Sequence, residues 1–168
     1  PVAIPADLAG LKENHDAVIL ATGSWADRRL NVQGEDLKGV QGCLDFLNRF
    51  YRDGISRFEE RAAVIGDGNA AFDLARTLKR AGASVTIFSW FAKHDIPADP
   101  HEVKSASNEG IVIRDSSQVI EFTGNDGTLQ GIRFKPTRPG PKDDKGIAWP
   151  EIIHEGSSFE EEYNYAFV

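Results

Sequence analysis

The stretch that reads most directly as chemistry is Gly66-Asp67-Gly68-Asn69-Ala70-Ala71, which fits G-x-G-x-x-A. Each fixed position has a physical task. Gly66 permits a tight strand-to-helix turn. Gly68, without a Cβ, lets a pyrophosphate approach the backbone, and Ala71 lets the helix pack closely on a sheet. The N–H groups of the first helical turn, reinforced by the helix dipole, then favour phosphate oxygens. Gly66, Gly68, Asn69, Ala70 and Ala71 are therefore the candidate dinucleotide-binding residues. Asp67 points the other way, because a carboxylate beside a phosphate is repulsive unless it is turned aside.

The adenosine end of such a ligand is normally read after the second strand. A carboxylate there takes the ribose hydroxyls of NAD, and an arginine accommodates the 2′-phosphate of NADP. Between Asp73 and Asp95 there is no carboxylate, and no arginine follows Arg80 in that stretch. The position holds Ser89, Trp90 and Phe91 instead. Trp90 has two readings, a stacking partner for adenine or a loop aromatic tucked against the sheet edge.

Elements of the right kind surround the turn. Ala62 to Ile65 is a short buried strand, and Ala70 to Ala81 a helix with Ala71, Leu74, Ala75 and Leu78 on one stripe. Gly82 stands where a C-terminal glycine cap belongs, and "SVTIF", Ser84 to Phe88, is β-branched and strand-like. This is one βαβ unit. Upstream, Ala17 to Ala21 of "DAVILATG" reads as a strand buried on both faces. Ser24 to Gly42 reads as loop. Cys43 to Tyr51 reads as an amphipathic helix with Leu44, Leu47 and Tyr51 on one face. Downstream, His101 to Gly110 is a polar helix and Ile111 to Asp115 a third strand. Two alternating runs, "QVIEFT" and "LQGIRFKP", then meet at an Asp-Gly hairpin turn. "TRPGPKDDKGIAWP" reads as a Pro/Gly loop, and "FEEEYNY" as a solvated acidic loop. Ile152 to His154 and Tyr163 to Val168 are short strands. The fold expected is α/β and Rossmann-like: a parallel βαβ sheet with an antiparallel β-meander on one face.

Composition narrows the class. The 168 residues, 40% hydrophobic and 27% charged, suffice for one domain with its own core. The net charge of -7 argues against nucleic-acid binding. No apolar run approaches the roughly 20 residues of a membrane span, and no basic-then-apolar pattern opens the chain. Cys43 is the single cysteine and reads as a small core residue, so the chain cannot form an intramolecular disulfide. A cytoplasmic setting is expected. His15, His94, His101 and His154 show no metal-ligand spacing, and no metal site is read. No G-x-S-x-G hydrolase motif occurs. There is no methionine, and the chain stops within the apolar run "YNYAFV". This reads as a piece of a longer protein, the alternative being an edge strand at a true terminus.

Taken together, these stretches resemble the glutamate synthase small-subunit family of FAD/NAD(P) oxidoreductases. "DAVILATGSWADRRLNVQGEDLKGVQGCLDFL" is similar to the family's region around its first ATG motif. "VIGDGNAAFDLARTLKRAGASVTIF" is similar to its NAD(P)H-binding turn, helix and strand. "IPADPHEVKSASNEGI" is similar to its "MPA…E…A…EG" segment, with Ile96 for Met. The resemblance implies an FAD domain interrupted by an NAD(P)H domain. Residues 1–24 would be the remnant of the FAD-binding domain and first crossover, with Thr22 and Gly23 at the boundary, and residues 25–168 the NAD(P)H-binding insert. It implies hydride transfer from NAD(P)H to FAD and onward electron transfer, with the FAD-binding domain of the same chain as partner. An iron–sulfur domain or large subunit would receive the electrons, and no catalytic acid or base is needed in this segment. Asp73 and Arg76 match the family's "A-x-D-x-A-R" helix positions, either as a helix-to-loop ion pair or as ligand contacts.

One departure matters. The family's Tyr-Arg-Arg run, suited to the 2′-phosphate of NADPH, aligns with Ser89, Trp90 and Phe91. NADH is therefore favoured. A non-catalytic Rossmann-like module, used in assembly or regulation, is the alternative. An NAD-dependent enzyme acting alone is a third reading, without a visible substrate domain.

Overall fold

A computed structural model of the chain describes residues 8–21, 23, 26–156 and 158–168. The elements run α1 (Leu8–Asn14), β1 (Val40–Gln41), α2 (Cys43–Arg52), β2 (Arg61–Ile65), α3 (Asn69–Arg80) and β3 (Ser84–Phe88). They continue with α4 (Pro100–Asn108), β4 (Val112–Arg114), β5 (Ser117–Asn125), β6 (Thr128–Lys142), β7 (Ala148–Ile152), β8 (Phe159–Glu162) and β9 (Tyr165–Phe167). A parallel sheet has the order β1-β9-β2-β3-β4, and β5, β6 and β7 form an antiparallel sheet to which β8 adds by pairing with β6.

The side-chain alternation of the parallel strands builds three layers. Ala62, Val64, Val85, Ile87 and Phe167 point to one face, where they pack with Phe46, Phe72, Leu74 and Leu78 of α2 and α3. Ala63, Phe88 and Ala166 point to the other, against Val119, Phe122, Ile132 and Phe134 of the antiparallel sheet. Phe88 and Phe134 stack with centroids 4.1 Å apart, which joins the two sheets directly beside the end of β3. Fully burying a side chain of this size contributes about 1.5–3 kcal/mol. The meander thus covers one face of the sheet, as expected.

The βαβ unit follows the sequence reading closely. α3 ends at Ala81, and Gly82, at φ 106°, lets its N–H reach the Lys79 carbonyl at 3.1 Å. Asp126 and Gly127, at φ 49° and 73°, form the β5–β6 turn, the conformation that Asp-Gly favours between alternating strands.

Four expectations change. Ala17 to Ala21 is not a strand; it has no strand partner among the described residues, and Ile19 and Leu20 are 88% and 69% exposed. An apolar run becomes a strand only when another strand completes its ladder. In α2 the buried stripe is Cys43, Phe46 and Phe50, whereas Tyr51 faces solvent. The Pro/Gly segment from 137 to 150 is ordered: β6 runs through Lys142 and pairs with β7. Pro139 stands opposite Pro150 beside a bulge at the sheet edge, where a missing N–H costs no ladder bond. The acidic stretch begins as β8, with Glu160 paired to Arg133 (3.1 Å) and Glu161 to Arg114 (2.8 Å). β9 is interior, between β1 and β2, so the edge-strand alternative for the terminal apolar run is not the one observed. Among the described residues no helix is long and apolar enough to cross a membrane.

Candidate dinucleotide site

The parallel strands all point their C-terminal ends at one edge of the sheet, and there a cleft of about 630 Å³ opens between the glycine turn and the 26–30 loop. Gly66, Gly68, Ala70, Ala71 and Trp90 line it, with Arg28 at its mouth. Ligands in open parallel sheets bind at this kind of crevice.

The turn is built as its residue types demand. Gly66 sits at φ 151° and donates its N–H to the Phe88 carbonyl at 3.0 Å. A Cβ on Gly66 would stand 3.4 Å from the Ala71 Cβ, so the small residue at 71 is what allows α3 so close to the turn. Gly68 is the N-cap of α3 and offers no side-chain cap, and the first turn carries no acidic residue. Among the described residues, no backbone acceptor reaches the N–H groups of Asn69 and Ala70. A Cβ on Gly68 would meet nothing within 4 Å. The helix therefore presents donors and a positive dipole end to open space, an arrangement suited to an anion.

Asn69 is not among the residues that line the cleft; its side-chain Oδ1 accepts from the Asp99 N–H at 2.8 Å, which ties the start of α3 to the start of α4. The 26–30 loop is held by Asp27, whose carboxylate accepts from the N–H groups of Leu44 (2.7 Å) and Asp45 (3.0 Å) and so caps α2. A Cβ on Gly42 would overlap that carboxylate. Arg28 is thereby carried to the cleft, a neighbour of the glycine turn that no sequence spacing announces. Arg76 is taken up in an ion pair with Glu102 (2.6 Å) and Glu109 (2.9 Å) of the α4 region, and Asp73 is exposed. Of the two readings of Arg76, the ion pair is the one observed. Gly23 is exposed at φ 69°, and Thr22 lies outside the described residues.

The end of β3 differs from expectation. Ser89 is fully buried and does not line the cleft. Its hydroxyl donates to Asp67 Oδ2 at 3.0 Å and accepts from the Phe91 N–H at 3.1 Å. Asp67 is thus turned away from the phosphate cradle and toward the end of β3. Burial raises its carboxyl above the ordinary value, against the opposing pull of Ser89 and the backbone N–H groups of Phe91 and Trp90. A carboxylate does stand at the end of β3, but it comes from the glycine turn instead of from β3. Trp90 is half-buried, lines the cleft and accepts from Thr137 Oγ1 at 2.6 Å through its carbonyl. Cys43 is buried beneath the cleft with its thiol pushed up to about 12, chiefly by desolvation, and stays protonated at neutral pH.

This constellation has a known setting. Residues 6–138 match the pyridine nucleotide-disulphide oxidoreductase family. The chain belongs to that family. Among curated members, the "Glutamate synthase [NADPH] small chain" of Halomonas elongata is 32% identical over 154 residues, covering 85% of this chain and 32% of that protein. The "NADP(+)-dependent formate dehydrogenase subunit beta" of Moorella thermoacetica is 31% identical over 154 residues, covering 89% of this chain and 22% of its own length. The chain spans about a third of the length of the glutamate synthase small chains it matches. FprA of Mycobacterium tuberculosis, solved in complex with NADPH, superposes with a TM-score of 0.69 over 95% of this chain and 50% of its own; at 21% identity this shows the fold alone. A family named for a disulphide is represented here by a chain whose single cysteine is a buried thiol.

Proposed function

We propose that this chain is the pyridine-nucleotide-binding domain of a flavin oxidoreductase of the glutamate synthase small-subunit type, favouring NADH over NADPH. Residues 25–168 form the nucleotide-binding insert, and residues 1–24 belong with an FAD-binding domain of the same protein. When bound, the dinucleotide supplies a hydride for a flavin. Electrons then pass to an iron–sulfur domain or large subunit.

The observation that carries the reading is the glycine turn. Gly66 and Ala71 bring α3 against the sheet, and Gly68 leaves its uncapped N–H groups facing an open cleft. These groups and the Arg28 guanidinium hold the pyrophosphate. The chain's task is to bind, orient and keep water from the nicotinamide, and no proton transfer is assigned to its residues. The preference for NADH rests on the end of β3. No arginine follows β3 in the chain before Asp95, Arg114 beside its end is paired with Glu161 at 2.8 Å, and the Asp67 carboxylate, held by Ser89, would repel a 2′-phosphate and accept from a free 2′-hydroxyl. The glutamate synthase and formate dehydrogenase relatives carry NADPH or NADP(+) in their names, so a preference for NADH would set this chain apart from them.

A second reading, a non-catalytic module, is favoured by the same Asp67, which, though held by Ser89, still lines the cleft beside the turn that would hold phosphates. Flavin bleaching of the full-length protein separates the two. NADH should bleach the flavin at lower concentration than NADPH. Tenfold tighter use of NADPH would sink the NADH preference, and no bleaching with either would establish the module.

A further inference from the structure

We propose that the β6–β7 hairpin forms the adenosine end of this site, with Trp149 as an adenine-stacking residue. The inference rests on the dinucleotide reading above. A second cleft of about 600 Å³ adjoins the first, and the two share Arg28, Asp67, Gly68 and Trp90. Its far wall is the hairpin: Lys142, Ile147 and Trp149. An occupant that leaves the glycine turn along the end of β3 therefore runs into these residues.

Trp149 is built as a binding residue would be. It is 49% exposed, and neither core cluster includes it. Yet it is held in place. Its Nε1 donates to Asp143 Oδ2 at 2.9 Å, while Asp143 Oδ1 accepts from the N–H groups of Lys145 and Ile147, each at 2.9 Å. The indole packs against the Trp90 and Phe91 rings, with centroids 6.3 and 5.8 Å away, and its remaining surface lines the cleft. An exposed, pre-oriented aromatic face pays little ordering entropy when a flat ring stacks on it. Lys142 and Arg28 also line this cleft, and their positive charge suits the pyrophosphate of a nucleotide and not an apolar peptide. The flat group that meets the indole is then the adenine base of that nucleotide. The end of β3, which carries neither carboxylate nor arginine of its own for the ribose, is completed by a hairpin far along the chain.

The test uses the full-length protein and calorimetric titration with ADP-ribose and NADH. Trp149→Leu keeps apolar bulk without a stacking face and should weaken both ligands by about tenfold. Trp149→Phe keeps a face and should stay within about threefold of the wild type. In flavin reduction, Trp149→Leu should raise the KM for NADH and leave kcat unchanged, the signature of lost uniform binding. On the unaltered protein, ADP-ribose should slow amide hydrogen exchange across residues 137–152. Wild-type affinity for ADP-ribose in Trp149→Leu, or no added protection of the hairpin on ADP-ribose binding, would overturn the hairpin proposal and leave the dinucleotide reading standing. Failure of the wild type to bind either ligand would overturn both.

Discussion

Asp67 is the residue on which nucleotide choice turns. It stands between the two glycines of the turn and lines the cleft, and Ser89 gives it a partner at the end of β3 at 3.0 Å. Asp67→Asn preserves that hydrogen bond and removes the charge. The ratio of NADPH to NADH affinity should then rise by roughly fivefold, the equivalent of the ~1 kcal/mol that a unit charge exerts at about 4 Å in high dielectric. Paired titrations of wild type and variant check it, and an unchanged ratio would remove Asp67 from the specificity argument. Stability should follow. Burial raises the folded-state pKa of Asp67, so its contribution is complete below the unfolded value of about 3.9 and is lost as pH rises through the higher folded value. Thermal melts of the Asn variant should gain on the wild type as pH rises through that window.

At the scale of the element, the glycine turn and α3 act as one device. Gly66 and Gly68 have different duties. Gly66 has the backbone angle that L side chains avoid and the Ala71 contact; Gly68 has an ordinary φ of -86° and open space. Gly68→Ala should accordingly leave the thermal midpoint within about 2 °C, as for other unstrained surface changes. The same methyl group occupies the approach to the Asn69 and Ala70 N–H groups, and NADH affinity should fall by about tenfold or more, the loss of one charge-assisted hydrogen bond. A variant that binds NADH normally would mean that phosphates do not sit on this turn. The helix behind it is anchored by Arg76, which pairs with Glu102 and Glu109 and so ties α3 to α4.

At the scale of the whole chain, the described residues form a three-layer domain with a cleft at the carboxyl edge of its parallel sheet, and Ile19 and Leu20 stand mostly exposed, at 88% and 69%. If residues 1–24 belong with a second domain, these two side chains of the 17–21 segment would be buried there. Replacing both residues with serine in the longer protein should lower its melting temperature by several degrees, as the loss of two buried aliphatic side chains does. An unchanged melt would show the segment to be free surface there too.

What the sequence by itself determined is the local unit. The strand, turn, helix and strand from Arg61 to Phe88, the Asp-Gly hairpin and the role of each glycine in the turn follow from contacts a few residues apart, so periodicity and turn chemistry suffice to read them. Tertiary structure decided the rest. Whether Ala17 to Ala21 forms a strand depends on a partner, which local pattern cannot supply. The ordering of the proline-rich 137–150 segment depends on pairing across a sheet edge. Ser89 reads as a ligand residue until the fold buries it against Asp67. The approach of Arg28 and Trp149 to Gly68 is set by where the 26–30 loop and the β6–β7 hairpin come to lie. A site between layers is assembled from distant residues, and only their packing brings the side chains within reach of one another.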